Sequence, residues 1–488
     1  MSTLLEVSLE SVTYEGCSLP ALSDVEFSVE QGEFVVVAGP VGAGKSTLCH
    51  CLAGAIPSYY AAAIEGKIRV AGRDLGGATP AELAGTIGYL AQESQTQIVE
   101  GSVAEDVAFG PCNLGLPGEE VRRRVDSCLE WVGLTGFDRR DPRTLSGGEA
   151  QRSVLAGVIA LHPRLLILDE PLAELDSSGR RLVMQGLREL SRRGTSVLLA
   201  TTRPDQVRLF ADRIVSLAPA WEQPNANRSG GGSVGQATAG AGTQTEFAGL
   251  APRPAAAVPG ESGVRFDRCT HIYPGGRTGC TDVDLLVEAG GTVGLLGANG
   301  SGKTTLGKHV NGLLRATAGK VLVDGMDPGG RARGLVRART GFVFQNPDYQ
   351  LFGDSVEEEL AFGLRVRGMA REQVEHRVDE ALSRFGLEAW RGTHPHRLSR
   401  GQRQLLAVAG VLAARPSVLA ADEPTSGLDA ETALRVFREL SRVAARGGAV
   451  LLMTHDAELA STVVDRFAVM EEGLLHPIGL PSRQQVAG

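Results

Sequence analysis

Two glycine-rich stretches carry the residue types that bind phosphate groups. They read GPVGAGKST (39–47) and GANGSGKTT (297–305), and each follows an apolar run. Glycines let successive backbone N–H groups close around phosphate oxygens, and the N-terminus of a following helix adds its positive dipole end. We therefore predict two nucleotide phosphate loops. Their residues are Gly39, Gly42, Gly44, Lys45, Ser46 and Thr47 in the first loop, and Gly297, Gly300, Gly302, Lys303, Thr304 and Thr305 in the second.

The polar residues of these loops predict the chemistry that each would support. Lys45 and Lys303 should meet the β- and γ-phosphates, and the hydroxyls of Ser46 and Thr304 should ligate Mg²⁺. The sequence therefore predicts ATP and Mg²⁺ as cofactors.

An acidic pair follows each loop, at the end of a later apolar strand pattern. The pairs are Asp169–Glu170 and Asp422–Glu423. An aspartate at the end of a buried strand can hold Mg²⁺, and an adjacent glutamate can orient or deprotonate an attacking water. We therefore predict ATP hydrolysis, with Glu170 and Glu423 as catalytic residues.

The chain is a tandem repeat. From residue 92 onward, matching positions of the two copies lie 253 residues apart. Within each copy, near-continuous apolar runs alternate with helical stretches, which is typical of parallel strands that are buried on both faces. We predict an α/β fold with two P-loop domains, 1–220 and 261–480. The segment between them, 221–260, is rich in Gly, Ala and Pro and is predicted to be a flexible linker.

The composition of the chain limits the partners and the compartment that we expect for this protein. The formal net charge is −8, which argues against a nucleic-acid partner. The seven cysteines lack CxxC spacing and are odd in number, so we expect reduced thiols in the cytoplasm. The start of the chain does not resemble a signal peptide, and no apolar run has the ~20 residues of a membrane helix. If the protein works at a membrane, we expect it to be peripheral.

Two further motifs resemble a known family. LSGGEAQR (145–152) and LSRGQRQ (398–404) are similar to the signature motif of ABC-type ATPases. The resemblance implies that each domain adds a helical and an antiparallel β subdomain to a mainly parallel sheet. It also implies roles for several residues. These are nucleotide contacts by Ser146, Gly147, Gly148, Ser399 and Gly401, catalysis and Mg²⁺ sensing by Gln92 and Gln345, and D-loop positions for Asp176 and Asp429.

The same resemblance suggests an aromatic residue for the base. Tyr14 and Tyr273 are candidates to stack on adenine. The alternative is that either tyrosine is an ordinary packed aromatic residue.

The stretch after each Q-loop glutamine resembles one subfamily. A second glutamine follows five residues later, at Gln97 and Gln350, before an acidic helix and the letters AFG. This is similar to the energy-coupling-factor (ECF) ATPases, which drive uptake of B vitamins or of cobalt and nickel ions. The resemblance implies two partners, a transmembrane coupling protein and a small membrane-embedded substrate-binding protein. It places the chain at the cytoplasmic face of the cell membrane.

The two copies differ at residues that, in that family, form nucleotide sites shared between two domains, which we call composite sites. ABC ATPases pair head to tail, so the resemblance places Arg400, in the second signature, opposite the nucleotide on Lys45. Thr202 stands where the family has a switch histidine, and the second copy keeps His455. Both departures fall on one site. We therefore expect the other site, with Lys303, to perform most hydrolysis, while slow turnover at the first remains possible.

Local chemistry limits what Arg400 can do. Both signatures predict helix-capping boxes, with Ser146 or Ser399 as the N-cap, so Arg400 should occupy the first helical turn without disturbing the fold. Its charge opposes the helix dipole but could pair with a phosphate oxygen.

Two other classes remain open at this stage. One is a fused sugar-importer ATPase, and the other is a cytosolic tandem ABC protein that acts on ribosomes or DNA. The ECF-like stretches favour the importer, and the linker length favours pairing of the two domains within one chain.

Overall fold

A computed structural model describes residues 2–17, 19–218 and 263–478. The described residues fall into two compact units, which we call unit 1 (2–218) and unit 2 (263–478). The predicted linker, 221–260, lies outside the described residues, as do 479 and 480 of the second predicted domain.

Unit 1 is built on a five-stranded sheet with the strand order β6-β7-β8-β3-β9. All four neighbouring pairs are parallel. Its strands are β3 (Phe34–Ala38), β6 (Ile87–Leu90), β7 (Leu165–Asp169), β8 (Ser196–Thr201) and β9 (Arg213–Ser216). Every residue of β3, β7 and β8 is buried, as the continuous apolar runs predict.

A separate antiparallel sheet in unit 1 has the order β2-β1-β4-β5. Its strands are β1 (Thr3–Tyr14), β2 (Leu22–Glu30), β4 (Ala62–Val70) and β5 (Arg73–Asp74). Buried and exposed residues alternate along β2, because one face of this sheet packs on the core and the other meets solvent. Its apolar face joins one face of the parallel sheet in a single core cluster.

Seven helices complete the described part of unit 1. They are α1 (Lys45–Leu52), α2 (Ala55–Ser58), α3 (Pro80–Leu83), α4 (Val103–Asn113), α5 (Gly118–Trp131), α6 (Gly147–Ala160) and α7 (Ser177–Arg192). Helices α4, α5 and α6 pack against one another and against the second face of the parallel sheet. Unit 1 thus contains the helical and antiparallel β subdomains that the family resemblance implied.

Unit 2 repeats this plan. Its main sheet has the order β14-β15-β16-β12-β17-β18, and its antiparallel sheet has the order β11-β10-β13. The strands are β10 (Gly263–Ile272), β11 (Thr278–Glu288), β12 (Thr292–Leu296), β13 (Ala318–Val323), β14 (Thr340–Val343), β15 (Val418–Asp422), β16 (Ala449–Met453), β17 (Arg466–Glu471) and β18 (Leu474–Ile478). Only β18 pairs antiparallel within the main sheet. The predicted fold, α/β with two P-loop domains, is confirmed.

The described helices of unit 2 match those of unit 1 one for one, except at their short members. They are α8 (Lys303–Val310), α9 (Arg333–Arg339), α10 (Val356–Val366), α11 (Arg371–Phe385), α12 (Arg400–Ala413), α13 (Ala430–Ala445) and α14 (Ala457–Ala460). Among the helices of the described ranges, none is long and apolar enough to cross a membrane.

Candidate functional site

The predicted phosphate loops connect β3 to α1 and β12 to α8. The last glycine before each helix has a left-handed backbone, with φ of 85° at Gly44 and 107° at Gly302. A Cβ added to Gly44 would lie 2.4 Å from the carbonyl oxygen of Ala21, and one added to Gly302 would lie 2.1 Å from that of Gly279. Both positions therefore require glycine for its φ angle and for its lack of a side chain.

Each loop holds its lysine in a nearly buried position. The Nζ of Lys45 donates to the carbonyl oxygens of Gly39 and Pro40, at 2.8 and 2.9 Å. The Nζ of Lys303 makes the same two contacts, at 2.7 Å to Gly297 and 2.9 Å to Ala298. The ammonium group is thus fixed at the loop it serves. Together with the glycine backbone, it fits the phosphate groups of a nucleotide.

The predicted magnesium ligands of unit 2 are in direct contact. The hydroxyl of Thr304 donates to Oδ2 of Asp422 at 2.5 Å. Burial raises the pKa of Asp422 to about 6, and the hydrogen bond from Thr304 opposes that rise. A hydroxyl and a buried carboxylate are oxygen donors of the kind that Mg²⁺ prefers. In unit 1, Ser46 occupies the same helical position, and Asp169 is buried at the end of β7.

The two candidate catalytic glutamates have different partners. Glu423 lies 2.9 Å from the imidazole Nδ1 of His455 and accepts from the hydroxyl of Thr454 at 3.3 Å. Glu170 accepts from the backbone N–H of Thr202 at 2.7 Å and from the hydroxyl of Thr201 at 3.1 Å. Burial raises the pKa of Glu170, and the charge of Lys45 opposes the rise. The two copies therefore differ in the residues that contact the candidate catalytic glutamate.

Both glutamates also have an unusual backbone. The φ angles are 50° at Glu170 and 45° at Glu423, in a backbone region that residues other than glycine seldom adopt. Such strain persists only where the surrounding structure imposes it, and it concentrates at functional sites. Here the backbone N–H of each glutamate donates to the last or next-to-last strand residue beside it, Ala200 in one unit and Met453 in the other.

The signature helices α6 and α12 begin as predicted. Ser146 accepts from the N–H of Glu149, and the carboxylate of Glu149 accepts from the N–H of Ser146. Ser399 and Gln402 form the same reciprocal pair. The capping boxes are confirmed, and Arg400 stands at the first helical position without interrupting the helix. Its side chain is only 8% exposed, which the sequence did not indicate.

A charged residue that the sequence analysis missed lies beside the first signature. A Cβ added to Gly147 would lie 2.6 Å from Oε2 of Glu174. The matching positions in unit 2 are Arg400 and Gly427. Unit 1 thus carries an acidic side chain at the start of its signature helix, where unit 2 carries a basic one. The sequence contained a signal for this difference, because the residues at these two positions, 27 apart, both change between the copies.

Two glutamines that lay within the quoted signatures also have a structural role. The side-chain amide of Gln151 donates to the backbone carbonyl of Glu170 at 3.3 Å. The amide of Gln404 donates to that of Pro424 at 3.2 Å. Both glutamines are about 1% exposed. They join the signature helix of each unit to the segment that carries its candidate catalytic glutamate.

The Q-loop glutamines Gln92 and Gln345 are half-buried, and each follows its strand, β6 or β14, after one intervening residue. The second glutamine of each unit is tied to the backbone of the loop. Gln97 accepts from the N–H of Ala91 at 2.8 Å, and Gln350 accepts from the N–H of Phe344 at 3.4 Å. The second glutamines therefore fix the loop shape.

Each predicted adenine-stacking tyrosine contacts its phosphate-loop helix. The hydroxyl of Tyr14 lies 3.2 Å from that of Thr47, and the hydroxyl of Tyr273 lies 2.9 Å from that of Thr305. Both rings are half-buried. They are therefore next to the loops, and stacking on a base remains a proposal.

The D-loop aspartates cap the next helices. Asp176 accepts from the N–H of Gly179 at 2.7 Å at the start of α7, and Asp429 accepts from that of Thr432 at 2.8 Å at the start of α13. Within each unit, the lysine, the acidic pair and the switch position all follow the carboxyl ends of adjacent parallel strands. In unit 2 these strands are β12, β15 and β16. That edge is where ligands bind in open α/β sheets.

Each unit carries a phosphate loop with candidate magnesium ligands at the edge of a parallel sheet, and a signature helix packs against that sheet. Two such units define a tandem P-loop ATPase. The model of the ABC transporter family matches residues 22–173 and 280–426. A protein of Methanosarcina acetivorans, provisionally named as an ABC transporter ATP-binding protein, is 35% identical over 96% of this chain and 84% of its own. A protein of Caldanaerobacter subterraneus with the same kind of name is 32% identical, over 94% and 88%.

The chain therefore belongs to the ABC transporter ATP-binding family. It is an ATPase with two ABC domains, and its cofactors are ATP and Mg²⁺. Among solved structures, cbiO1 of Clostridium perfringens, described as part of the ABC transporter complex cbiONQ, is 32% identical. That comparison covers 45% of this chain and 89% of cbiO1, with a TM-score of 0.41.

Proposed function

We propose that this protein is the ATP-hydrolysing energy-coupling subunit of an ECF-type importer for a micronutrient, either a B vitamin or a cobalt or nickel ion. The observation that carries the proposal is the segment after each Q-loop. There the second glutamine fixes the loop, and a group of apolar side chains beside it faces solvent. The proposed partners are a transmembrane coupling protein and the small membrane-embedded binder that it holds, with this chain peripheral at the cytoplasmic face of the membrane.

Four exposed apolar side chains of unit 2 between residues 349 and 366 make up what we call the aromatic patch: Tyr349, Phe352, Phe362 and Val366. Phe352 and Phe362 are 62% and 48% exposed, yet their rings meet edge to face with centroids 4.6 Å apart. Large exposed apolar groups that touch one another are typical of a protein or membrane contact. A helix of the coupling protein would suit this patch, because helices bind grooves through a few apolar anchors.

Unit 1 repeats the central pair of the aromatic patch, with valine in place of one phenylalanine. Val99 and Phe109, at the positions of Phe352 and Phe362, are 61% and 45% exposed. We therefore propose one docking position per unit. Two such positions suit a single coupling protein that contacts both ATPase domains.

We further propose that the two units of one chain pair head to tail and form two unequal composite sites. The main hydrolytic site would combine Lys303, Glu423 and His455 with the signature serine Ser146. The other site, on Lys45, would face Arg400 and lack a switch histidine, so it would mainly hold ATP. The contrast between the partners of Glu423 and those of Glu170 supports this assignment.

Affinity purification from mildly solubilised membranes of the native cells, followed by mass spectrometry, tests the function. We expect a polytopic coupling protein and a small hydrophobic binder, whose identity would name the cargo. A double variant, Phe352→Ser with Phe362→Ser, should lose both while its ATPase units stay folded. The matched control is Leu335→Ser, because Leu335 is an exposed leucine of unit 2 outside the patch. Recovery only with ribosomes or DNA-repair proteins would contradict the proposal.

A further inference from the structure

Unit 2 contains a small cleft lined by charged side chains, which we call the arginine cleft. It lies between α11, the C-terminal end of α12 and the C-terminal end of α13, and its volume is about 20 Å³. That is room for about one water-sized group. The charged residues that line it are Arg377, Glu380, Arg384, Arg415, Glu439 and Arg446.

The two glutamates of the cleft are each shared between two arginines. Glu380 contacts Arg384 at 2.6 Å and Arg415 at 3.1 Å. Glu439 contacts Arg384 at 3.5 Å and Arg442 at 2.5 Å. The carboxylates are therefore already engaged, and neither is left for a further arginine.

The remaining two arginines lack a carboxylate partner. Arg377 donates to the backbone carbonyl of Ala413 at 2.9 Å. Among the described residues, no carboxylate lies within ion-pair distance of Arg377 or Arg446. Burial lowers the pKa of both guanidinium groups, and the positive charge of Arg415 lowers it further, while the more distant carboxylate of Glu380 opposes both effects. These three cations repel one another.

Unit 1 neutralises the same two positions. Arg124, which matches Arg377 and donates to the equivalent carbonyl of Ala160, pairs with Glu120 at 2.7 Å. Arg193, which matches Arg446, pairs with Glu189 at 2.9 Å. In unit 2 the places of those two glutamates are taken by Gln373 and Arg442. Unit 2 thus lacks the carboxylates that pair with these two arginines in unit 1; it has gained Glu380 and Glu439 elsewhere in the cleft, but also three arginines, Arg384, Arg415 and Arg442.

The rest of the cleft is also specific to unit 2. At the positions of Arg384 and Glu439, unit 1 has Trp131 and Gly186, and a Cβ on Gly186 would lie 2.3 Å from the tryptophan ring. In unit 1 an apolar contact therefore fills this space, whereas in unit 2 charged groups line it.

A charge balance shows what the cleft requires. Five arginines, including Arg442, surround two glutamates. The C-terminal ends of α11, α12 and α13 contribute roughly half a negative charge each, which accounts for arginines at those ends but not for all of them. About one and a half positive charges stay without a counter-charge, so the cleft matches an anion with a charge between −1 and −2.

We propose that the arginine cleft binds a small oxyanion of the phosphate class, such as free inorganic phosphate. One oxygen fills the cleft, and the guanidinium groups of Arg377, Arg415 and Arg446 surround it, because planar guanidinium groups donate to phosphate in pairs. Arg377 belongs to the helical subdomain, whereas Arg446 ends a helix that packs on the main sheet. The bound anion therefore joins the two layers of unit 2, away from the phosphate loop.

Equilibrium dialysis with radiolabelled inorganic phosphate tests this site. The full chain is held at constant ionic strength in NaCl, with Mg²⁺ and a saturating non-hydrolysable ATP analogue, so that both phosphate loops are filled. We expect about one phosphate per chain. Arg446→Gln should weaken binding about tenfold or more. The matched control is Arg193→Gln, its counterpart in unit 1, which should bind like the wild type.

A second variant separates loss of the site from loss of the fold. Gln373→Glu restores the carboxylate that Glu120 supplies in unit 1, and Gln373 is exposed, so the change should abolish phosphate binding while the melting temperature does not fall. The absence of phosphate binding by the wild type would overturn the proposal. So would an equal loss in Arg193→Gln, or undiminished binding by Gln373→Glu. None of these results depends on the transport assignment, because no membrane partner is present.

Discussion

The imidazole Nδ1 of His455 lies 2.9 Å from Oε1 of Glu423, and the chain cannot make this contact at its other glutamate. Glu170 is held by the backbone N–H and the hydroxyl of two threonines, Thr202 and Thr201. A threonine cannot carry a positive charge or extend as far as an imidazole. The two copies therefore share a fold but differ in the groups that contact the candidate catalytic glutamate.

The first prediction concerns the two glutamates. Glu423→Gln should lower steady-state ATPase about tenfold or more, since removal of a general base commonly costs a factor of 10² to 10⁴ at the affected site. Glu170→Gln should leave most of the activity. Phosphate release at saturating ATP measures both, and ATP binding by each variant serves as the control. If Glu170→Gln abolished turnover and Glu423→Gln did not, the assignment of the main site would be wrong.

The second prediction concerns the switch position. His455→Thr gives unit 2 the residue that unit 1 carries, and we expect ATPase to fall about tenfold or more while ATP affinity changes little. The reciprocal change, Thr202→His, should not lower activity, because Glu170 keeps its backbone hydrogen bond. Parallel measurement of kcat and KM checks this, since only kcat should respond. Equal activity of His455→Thr and the wild type would exclude a role for the imidazole in hydrolysis.

The third prediction concerns Tyr273. Loss of a base–aromatic stack costs about 1–3 kcal/mol, so Tyr273→Ala should raise the Kd for ATP by about five- to 150-fold. Tyr273→Phe should keep most affinity, because it removes only the hydroxyl that contacts Thr305. Titration with a fluorescent ATP analogue measures both. Tyr349→Ala is the control, since that tyrosine is 75% exposed and lies outside the loop. An unchanged Kd in Tyr273→Ala would favour the alternative of a packed aromatic residue.

The fourth prediction concerns the stability of unit 1 at low pH. The hydrogen bond from Arg188 lowers the pKa of Asp212, against the opposing effect of burial, and Asp212 also accepts from the N–H of Phe34 on β3. A lowered carboxyl pKa stabilises the fold above the unfolded pKa of about 3.9, and this contribution is lost as pH falls through the folded value. Arg188→Ser introduces the residue that unit 2 carries at this place, Ser441.

We expect Arg188→Ser to destabilise the chain at pH 7 by a few tenths to about 1 kcal/mol, as a partly exposed ion pair would. The difference from the wild type should shrink as pH is lowered through about 3.9 and below. Urea unfolding at each pH measures it, with Arg193→Gln as an exposed ion-pair control. A difference that stays constant with pH would show that Asp212 does not contribute through its charge.

Much of the fold could be predicted from the sequence. The strands β3, β7 and β8 are continuous apolar runs because both faces of a parallel sheet are covered, and this pattern is visible without coordinates. The capping boxes at Ser146 and Ser399 were equally visible, since each depends on residues only three apart. The contacts that depend on distant segments were not. Burial of Arg400 and the position of Glu174 over Gly147 follow from how loops far apart in sequence meet.

The sequence alone determined the repeat, the phosphate loops, the acidic pairs and the family, because each depends on residue types at short, fixed spacing. Only the tertiary structure decided which groups touch. It brought His455 to Glu423 across adjacent strands, and it gathered Arg377, Arg415 and Arg446 from the three helices that meet at the arginine cleft. A surplus of charge arises from packing in three dimensions. No local spacing in the sequence records it.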